Sequence, residues 1–300
     1  MCERPGSCGA TMKKRNNRVM LVTPPYHAGV VESAGRWPNL GFAYIAGALE
    51  RAGFDVEIYD AMSKFHTYDQ IRARLAEARP DHVGVTAITA TINDAVKVLG
   101  VAREELPGVT TFLGGVHPTF CWEEILSAPG TPVDYCVLGE GEQTTPELLE
   151  AHRQKADPAR VDGVAFRREG RACRSRSRPF IADLDSLRPA WHLVNWPDYP
   201  LYFIDRSTVA LVSSSRGCIH SCAFCSQHKF WNGTYRERDP GKVVAEIEHL
   251  ATTYGINVFF GADEYPTHSR ARGERILDLR IEKRRGVHIL RETCAHDILR

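Results

Sequence analysis

Gly217-Cys218-Ile219-His220-Ser221-Cys222-Ala223-Phe224-Cys225 places three thiols at the spacing C-x3-C-x2-C, shortly after an apolar segment, Thr208 to Ser213, that reads as a strand. Three cysteines in one short loop can converge on a single metal centre. Thiolates select zinc or iron–sulfur, and a four-iron cluster is held by cysteine. Three protein ligands on four irons leave one corner open for a ligand that is not protein. Zinc in a structural site wants a closed fourth position, which His220 or His228 would have to supply. No second Cys pair follows at finger-like distance. The spacing therefore points to a [4Fe-4S] cluster on Cys218, Cys222 and Cys225.

The 300 residues suggest about two domains. A formal net charge of +1 sets up no field that would draw nucleic acid or an anionic membrane. No apolar run reaches the length of a membrane span, and no signal-like segment opens the chain. The nine cysteines are odd in number and, apart from the triplet, scattered, which argues against a secreted disulfide framework. A reducing, cytoplasmic setting fits, and low oxygen with it, because an open cluster corner is vulnerable to oxidation.

Residues 1–18 lack periodicity and read as a disordered lead. From Val19 short apolar strands alternate with helices. Strands are expected at 19–22, 55–60, 82–87, 110–113 and 133–138, and helices at 39–52, 68–78, 92–105, near 121–127 and from Thr145, where a Thr-Pro pair reads as cap and first helical residue. That alternation over 19–156 predicts an α/β, doubly wound parallel (Rossmann-like) sheet. Such sheets bind ligands at the carboxyl ends of their strands. The loops there are Pro24-Pro25-Tyr26-His27-Ala28-Gly29, Thr86-Ala87-Ile88-Thr89, Gly114-Gly115 and Gly139-Glu140-Gly141-Glu142. None is G-x-G-x-x-G, so the nicotinamide fingerprint is missing, and Asp60 at the end of the second strand does not replace it. Paired glycines let the backbone approach a bulky flat ligand closely.

Residues 157–206 read as a linker with a β-hairpin turning at Arg168-Glu169-Gly170; its Arg174-Ser-Arg-Ser-Arg178 run is a solvated strand face, and Trp191 and Trp196 pack a junction. From 207 a second domain opens. Asp239-Pro240 caps a helix with an apolar face at Val243, Val244, Ile247, Leu250, Ala251 and Tyr254, stopped by Gly255. The strand Ile256 to Phe260 ends in Gly261-Ala262-Asp263-Glu264, and an arginine-rich helix over 270–285, weakly patterned as an exposed end would be, precedes a strand near 287–290.

The cysteine triplet in this context resembles the signature of the radical S-adenosylmethionine (SAM) enzymes, and the glycine-rich loops before it resemble the cobalamin-binding domain of one branch of that family. The resemblance implies three cofactors: the [4Fe-4S] cluster, SAM and cobalamin. SAM would chelate the open iron, with Phe224 bordering its adenine and Gly261, Asp263 and Glu264 holding its ammonium group. Tyr26, His27, Thr86, Thr89, Gly114, Gly115, Gly139 and Gly141 would face cobalamin. The first loop departs from the pattern D-x-H-x-x-G: His27 has Pro25 two residues before it and Val30 three after. Cobalt ligation by His27, or by His117, thus stands beside a polar loop role.

The runs at Pro25–Gly29, Ala34–Pro38, Asp60–Met62, Thr86–Thr89, Cys225–Trp231 and Ala262–Thr267 look like the anaerobic magnesium-protoporphyrin IX monomethyl ester cyclases. What this implies is an oxygen-independent oxidative ring closure on a tetrapyrrole in (bacterio)chlorophyll biosynthesis, with an external electron donor such as flavodoxin or ferredoxin. Two alternatives are a cobalamin-dependent radical SAM methyltransferase and a non-catalytic cobalamin-binding remnant. The second draws on length: 82 residues follow Cys218, about two and a half β/α units of roughly 30 residues, so 207–300 reads as the first part of a partial barrel, truncated or a fragment.

Overall fold

The computed structural model describes residues 17–27, 34–283 and 286–293. Most of the expected lead, residues 1–16, lies outside the described residues, as do Ala28, Gly29 and Val30. Asn17 and Arg18 already belong to the fold, their backbone N–H groups donating to Asp81 at 3.1 and 3.0 Å.

Strands and helices alternate as β1 (Arg18–Thr23), α1 (Leu40–Arg51), β2 (Asp55–Asp60), α2 (Tyr68–Ala78), β3 (His82–Thr86), α3 (Ile92–Glu105), β4 (Thr110–Gly114), α4 (Val116–Ser127), β5 (Tyr135–Val137) and α5 (Gly141–Arg153). The five strands pair in parallel in the order β2-β1-β3-β4-β5. The strands are largely buried because both faces are covered: α2, α3 and α4 pack on one face, α1 and α5 on the other. The hairpin β6 (Val164–Arg168) and β7 (Arg171–Arg174) extends the same sheet antiparallel beyond β5. Its turn puts Glu169 and Gly170 at positive φ, the two-residue turn that suits strand twist.

The second unit has a three-stranded parallel sheet, β8 (Val209–Val212), β11 (Val258–Gly261) and β12 (His288–Leu290), in the order β12-β11-β8. Between β8 and β11 lie the antiparallel pair β9 (Ser215–Gly217) and β10 (Tyr235–Glu237), the short α6 (Gln227–Phe230) and α7 (Pro240–Tyr254). The capping expected of α7 is present: Asp239 accepts from the Lys242 N–H and Gly255 ends it at φ 70°. α8 (Arg270–Glu282) connects β11 to β12. Trp191 and Trp196 are buried with Ala43, Val212, Val243, Ile247 and Phe259, so the two units share one apolar seam.

Two sequence expectations are corrected. α5 begins at Gly141, not at Thr145, and Pro146 lies inside it. Glu140 stands at the cap position without capping, because its carboxylate is drawn to arginines of the second unit. α8 is not an exposed end: Arg272, Ile276 and Arg280 form its buried face. Arg272 donates from Nη2 to the carbonyl oxygens of Ser214 and Arg238.

Two helical glycines predict opposite responses to alanine. A Cβ at Gly47 in α1 would lie 1.9 Å from the Arg188 carbonyl oxygen, whereas one at Gly100 in α3 meets nothing within 4 Å. Gly47→Ala is expected to cost about 1–3 kcal/mol or more from overpacking, and Gly100→Ala to stabilise by about 0.5–1 kcal/mol. Urea unfolding of the two variants checks the pair of signs.

Candidate functional site

The carboxyl ends of the first sheet face the strand ends of the second across one cavity of about 380 Å³. Its wall takes Thr86, Gly114, Gly115, Gly139 and Gly141 from the first unit and Ser213, Arg216, Ala262 and Glu264 from the second. A neighbouring chamber of about 420 Å³ shares Thr86 and Asn39 with it and adds Tyr26, Arg36, Trp37 and Phe65. Of the predicted residues, Phe224, Gly261, Asp263 and the three cysteines line neither chamber, nor do two of those expected to face cobalamin. Thr89 hydrogen-bonds His117 Nδ1 at 3.1 Å, and His27 stacks on Phe65 with ring centroids 4.9 Å apart.

Backbone and hydroxyl groups knit the glycine loops together. Ala87 N–H donates to Gly114 O at 2.9 Å, and His117 N–H to Ala87 O at 3.2 Å. Thr119 donates its hydroxyl to Gly115 O at 2.8 Å and accepts from Gly139 N–H at 3.0 Å. Gly115 has φ 103°, and a Cβ there would press on Ala87 O at 2.6 Å and Thr86 Oγ1 at 2.8 Å. Gly115 thus serves the close packing of the two loops, whereas a Cβ at Gly139, also in the cavity wall, would meet nothing within 4 Å, and a flat ligand can meet bare backbone there. The buried Thr145 Oγ1, also in the cavity wall, finds no hydrogen-bond partner among the described residues.

The cysteine loop leaves β9 at Gly217, whose φ is 98° and whose missing side chain lets Thr234 O approach. Cys218 and Cys225 are half-buried, Cys222 is exposed, and all three are free thiols. Cys225 N–H donates to Cys222 O at 3.0 Å, closing a turn between the last two. The structure keeps the three on one loop without gathering their sulfurs: among the described residues no group of three His, Cys, Asp or Glu is close enough to hold a metal ion. Thiolates carry like charges and converge on the metal that binds them. The donor set, three soft thiols within eight residues, suits an iron–sulfur cluster. Phe224 stands 93% exposed at the tip of this loop.

The two acids after β11 separate sharply. Asp263 Oδ1 accepts from Ser214 N–H and Oγ, both at 2.9 Å, and from Ser215 Oγ at 2.5 Å. Its Oδ2 is buried and has no partner among the described residues, 3.4 Å from where a Cβ on Gly261 would sit. That oxygen is the one a ligand ammonium could engage. Glu264 is used up within the chain: Oε2 accepts from Gly217 N–H at 3.0 Å and Oε1 from Trp231 Nε1–H at 2.9 Å. It braces the base of the cysteine loop. Burial raises its pKa against the lowering effect of those hydrogen bonds.

Sequence reasoning missed the charges in the same wall. Arg216 donates from Nη1 to Glu140 and from Nη2 to Glu142, both at 2.6 Å, and Arg236 donates to Glu140 at 2.9 Å. All four side chains are at most 13% exposed. Burial opposes the charge on Arg216, yet Glu142 and Glu140 outweigh it and raise the pKa. The signal available was the acid–glycine alternation at 139–142 and the arginine beside Gly217.

Comparison with known proteins follows the same division. The B12 binding domain family matches residues 26–149 and the radical SAM superfamily residues 212–298. The anaerobic magnesium-protoporphyrin IX monomethyl ester cyclase of Rubrivivax gelatinosus is 40% identical over 94% of this chain and 51% of its own length. The same-named protein of Cereibacter sphaeroides is 41% identical over 84% of the chain and 42% of its own length. The chain thus spans about half the length of these relatives. The solved radical SAM methyltransferase TsrM of Kitasatospora setae, with cobalamin and a [4Fe-4S] cluster bound, superposes with a TM-score of 0.69 at 20% identity, over 90% of this chain and 51% of that one. At that identity the likeness speaks for the fold.

A carboxyl group with a raised folded pKa stabilises the fold below its unfolded value, here near 4.5, and loses that contribution as pH rises through the folded value. The unfolding free energy of the wild type minus that of Glu264→Gln is therefore expected to shrink between pH 4 and 8. Denaturant titrations across that range check it, and a flat or rising difference would refute the assignment.

Proposed function

The chain belongs to the radical SAM superfamily, in the branch that carries a B12-binding domain, and from that premise we propose that it serves an oxygen-independent oxidative cyclase acting on magnesium-protoporphyrin IX monomethyl ester. The observation that carries the reading is the shared cavity, where glycine loops suited to a flat corrin face the strand ends beside the cysteine loop. The identity to same-named cyclases along nearly the whole chain supports the substrate. A tetrapyrrole substrate, an electron donor such as flavodoxin or ferredoxin, and a cytoplasmic setting belong to this reading.

Each residue then has a defined task. Cys218, Cys222 and Cys225 would hold the cluster, and Asp263 Oδ2 would accept a hydrogen bond from the SAM ammonium, a charge-assisted contact. Gly114, Gly115, Gly139 and Gly141 leave the cavity rim bare for cobalamin. Glu264 keeps the loop base fixed through Gly217 and Trp231. Phe230, Trp231, Phe42 and Ile45 line the cavity with apolar surface that excludes water. When bound, the cluster with SAM supplies a radical that removes hydrogen from an unactivated carbon, and cobalamin a second redox or alkyl-carrying centre. Among the described residues no helix is long and apolar enough to cross a membrane.

Anaerobic reconstitution with iron and sulfide tests the reading. The wild type is expected to take up about four irons and to bind cobalamin, and Cys218→Ala to lose the iron while keeping cobalamin. Asp263→Asn is expected to weaken SAM binding by roughly 1.5–3 kcal/mol, tenfold or more. Zinc in oxygen-free material, or no metal at all, would overturn the assignment. A methylated rather than ring-closed porphyrin would move it to the methyltransferases, and cobalamin uptake without SAM cleavage would leave a binding protein.

A further inference from the structure

The buried charges that close the cavity invite a question that stability does not answer. Glu140, at the cap position of α5, and Glu142, in its first turn, flank Gly141, and Arg216 and Arg236 come from β9 and β10. Two acids and two bases are thereby removed from water. Buried ion pairs of this kind seldom stabilise a fold more than apolar residues of equal size, and their best-attested use is to fix register. The geometry here fixes one particular register. Arg216 reaches Glu140 and Glu142 with separate nitrogens, so its planar fork bridges both walls of the Gly139–Glu142 turn. Two residues further along the chain stands Cys218. Glu140 also accepts from the Ile181 N–H at 2.7 Å, and the Arg236 guanidinium lies against Phe180 and Trp231, 4.9 and 5.2 Å from their ring centres. The Arg216 guanidinium in turn sits 5.1 Å above the Tyr44 ring of α1. Neither partner can shift alone without leaving a charge buried and unpaired, which is costly.

We propose that this Glu140–Glu142–Arg216–Arg236 knot couples the two cofactor loops energetically, with Arg216 as the positioning residue through which the corrin-facing turn and the cysteine loop sense each other's occupancy. The Arg216 guanidinium grips the Gly139–Glu142 segment through both of its Nη atoms, and its backbone, in β9, leads two residues on into Cys218. A ligand that fixes the Gly139–Gly141 turn therefore favours one placement of Arg216, and hence of Gly217 and the loop beyond it. By linkage the reverse holds to the same factor. The inference rests on the reading of the two loops as cobalamin and cluster sites.

Hydroxocobalamin binding, followed by its absorbance change, is measured on the full chain with the cluster reconstituted and on the same protein stripped of iron by anaerobic chelation. The two affinities are expected to differ by about fivefold or more. In Glu142→Gln, which leaves Arg216 paired with Glu140, and in Arg216→Lys, which keeps the charge but loses the fork, the ratio is expected to fall towards one while cobalamin and iron each still bind. A wild-type ratio near one overturns the coupling outright, whatever becomes of the variants. A wild-type ratio that persists in both variants overturns the assignment to this knot. Failure of the wild type to bind cobalamin in either state would sink the functional reading and the coupling with it, whereas binding with equal affinity would sink the coupling alone.

Discussion

The carboxylate of Glu140 accepts hydrogen bonds from the Ile181 N–H, from Arg216 and from Arg236, three segments widely separated in sequence. A charge that is 95% withdrawn from solvent tolerates no slack in those contacts. With Glu142 paired to the same arginine, the ends of β5 and β9 are held at one separation. Glu140, Glu142 and Arg216 stand together in the wall of the cavity with the glycine loops, and Cys218 follows Arg216 by two residues. The apolar seam around Trp191 and Trp196 supplies burial, but apolar contacts are non-directional. The ion pairs add direction.

A second set of buried charges does the same for the far side of β9 and β10. Arg238 pairs with Asp185 of the linking segment and with Glu246 of α7, and Trp191 Nε1–H donates to Glu246 at 3.0 Å. Arg272 of α8 reaches the carbonyl of Ser214 from beneath. Asp60, at the end of β2, is likewise engaged: it accepts from Thr23, from Ser63 N–H and from Tyr199 OH at 2.8 Å, and so ties the first sheet to the linking segment. An acidic residue at that strand end is here a structural bolt. The loop after β5 thus shares in holding the units together, while Gly114, Gly115, Gly139 and Gly141 line the cavity between them.

Periodicity carried most of the architecture. α2, α3 and α7 occupy the stretches their apolar spacing predicted, and the five parallel strands lie where short apolar runs stood. Local chemistry failed where distant partners decided the outcome. Thr145-Pro146 carries a good helix-start signal, yet the helix begins a turn earlier because Glu140 is fixed by arginines 76 and 96 residues away. The face Arg272, Ile276 and Arg280 keeps helical spacing, but an apolarity scale counts arginine as outside. The cysteine triplet was legible because metal ligation is written in spacing. The ion-pair knot left only the acid–glycine alternation at 139–142 and an arginine beside Gly217 as a trace, which does not say that these glutamates will be buried or which arginines they will meet.

Asp263 and Glu264 show the limit most sharply, being adjacent acids at one strand end with the same reading from sequence. Successive residues leaving a strand point to opposite sides, and the two carboxylates meet different neighbours. Glu264 turns toward Gly217 and Trp231, where both oxygens find N–H donors and burial raises its pKa. Asp263 turns toward Ser214 and Ser215, which satisfy one oxygen three times over and leave the other without a partner among the described residues. A buried carboxylate oxygen left bare is costly unless something arrives to meet it. The serines hold the aspartate by one edge, and its other oxygen lies beside Gly261, in space that borders the Arg291 side chain. The division between the two acids is therefore set by the donors each meets: Gly217 N–H and Trp231 Nε1–H hold the glutamate to the base of the cysteine loop, and Ser214 and Ser215 hold one edge of the aspartate.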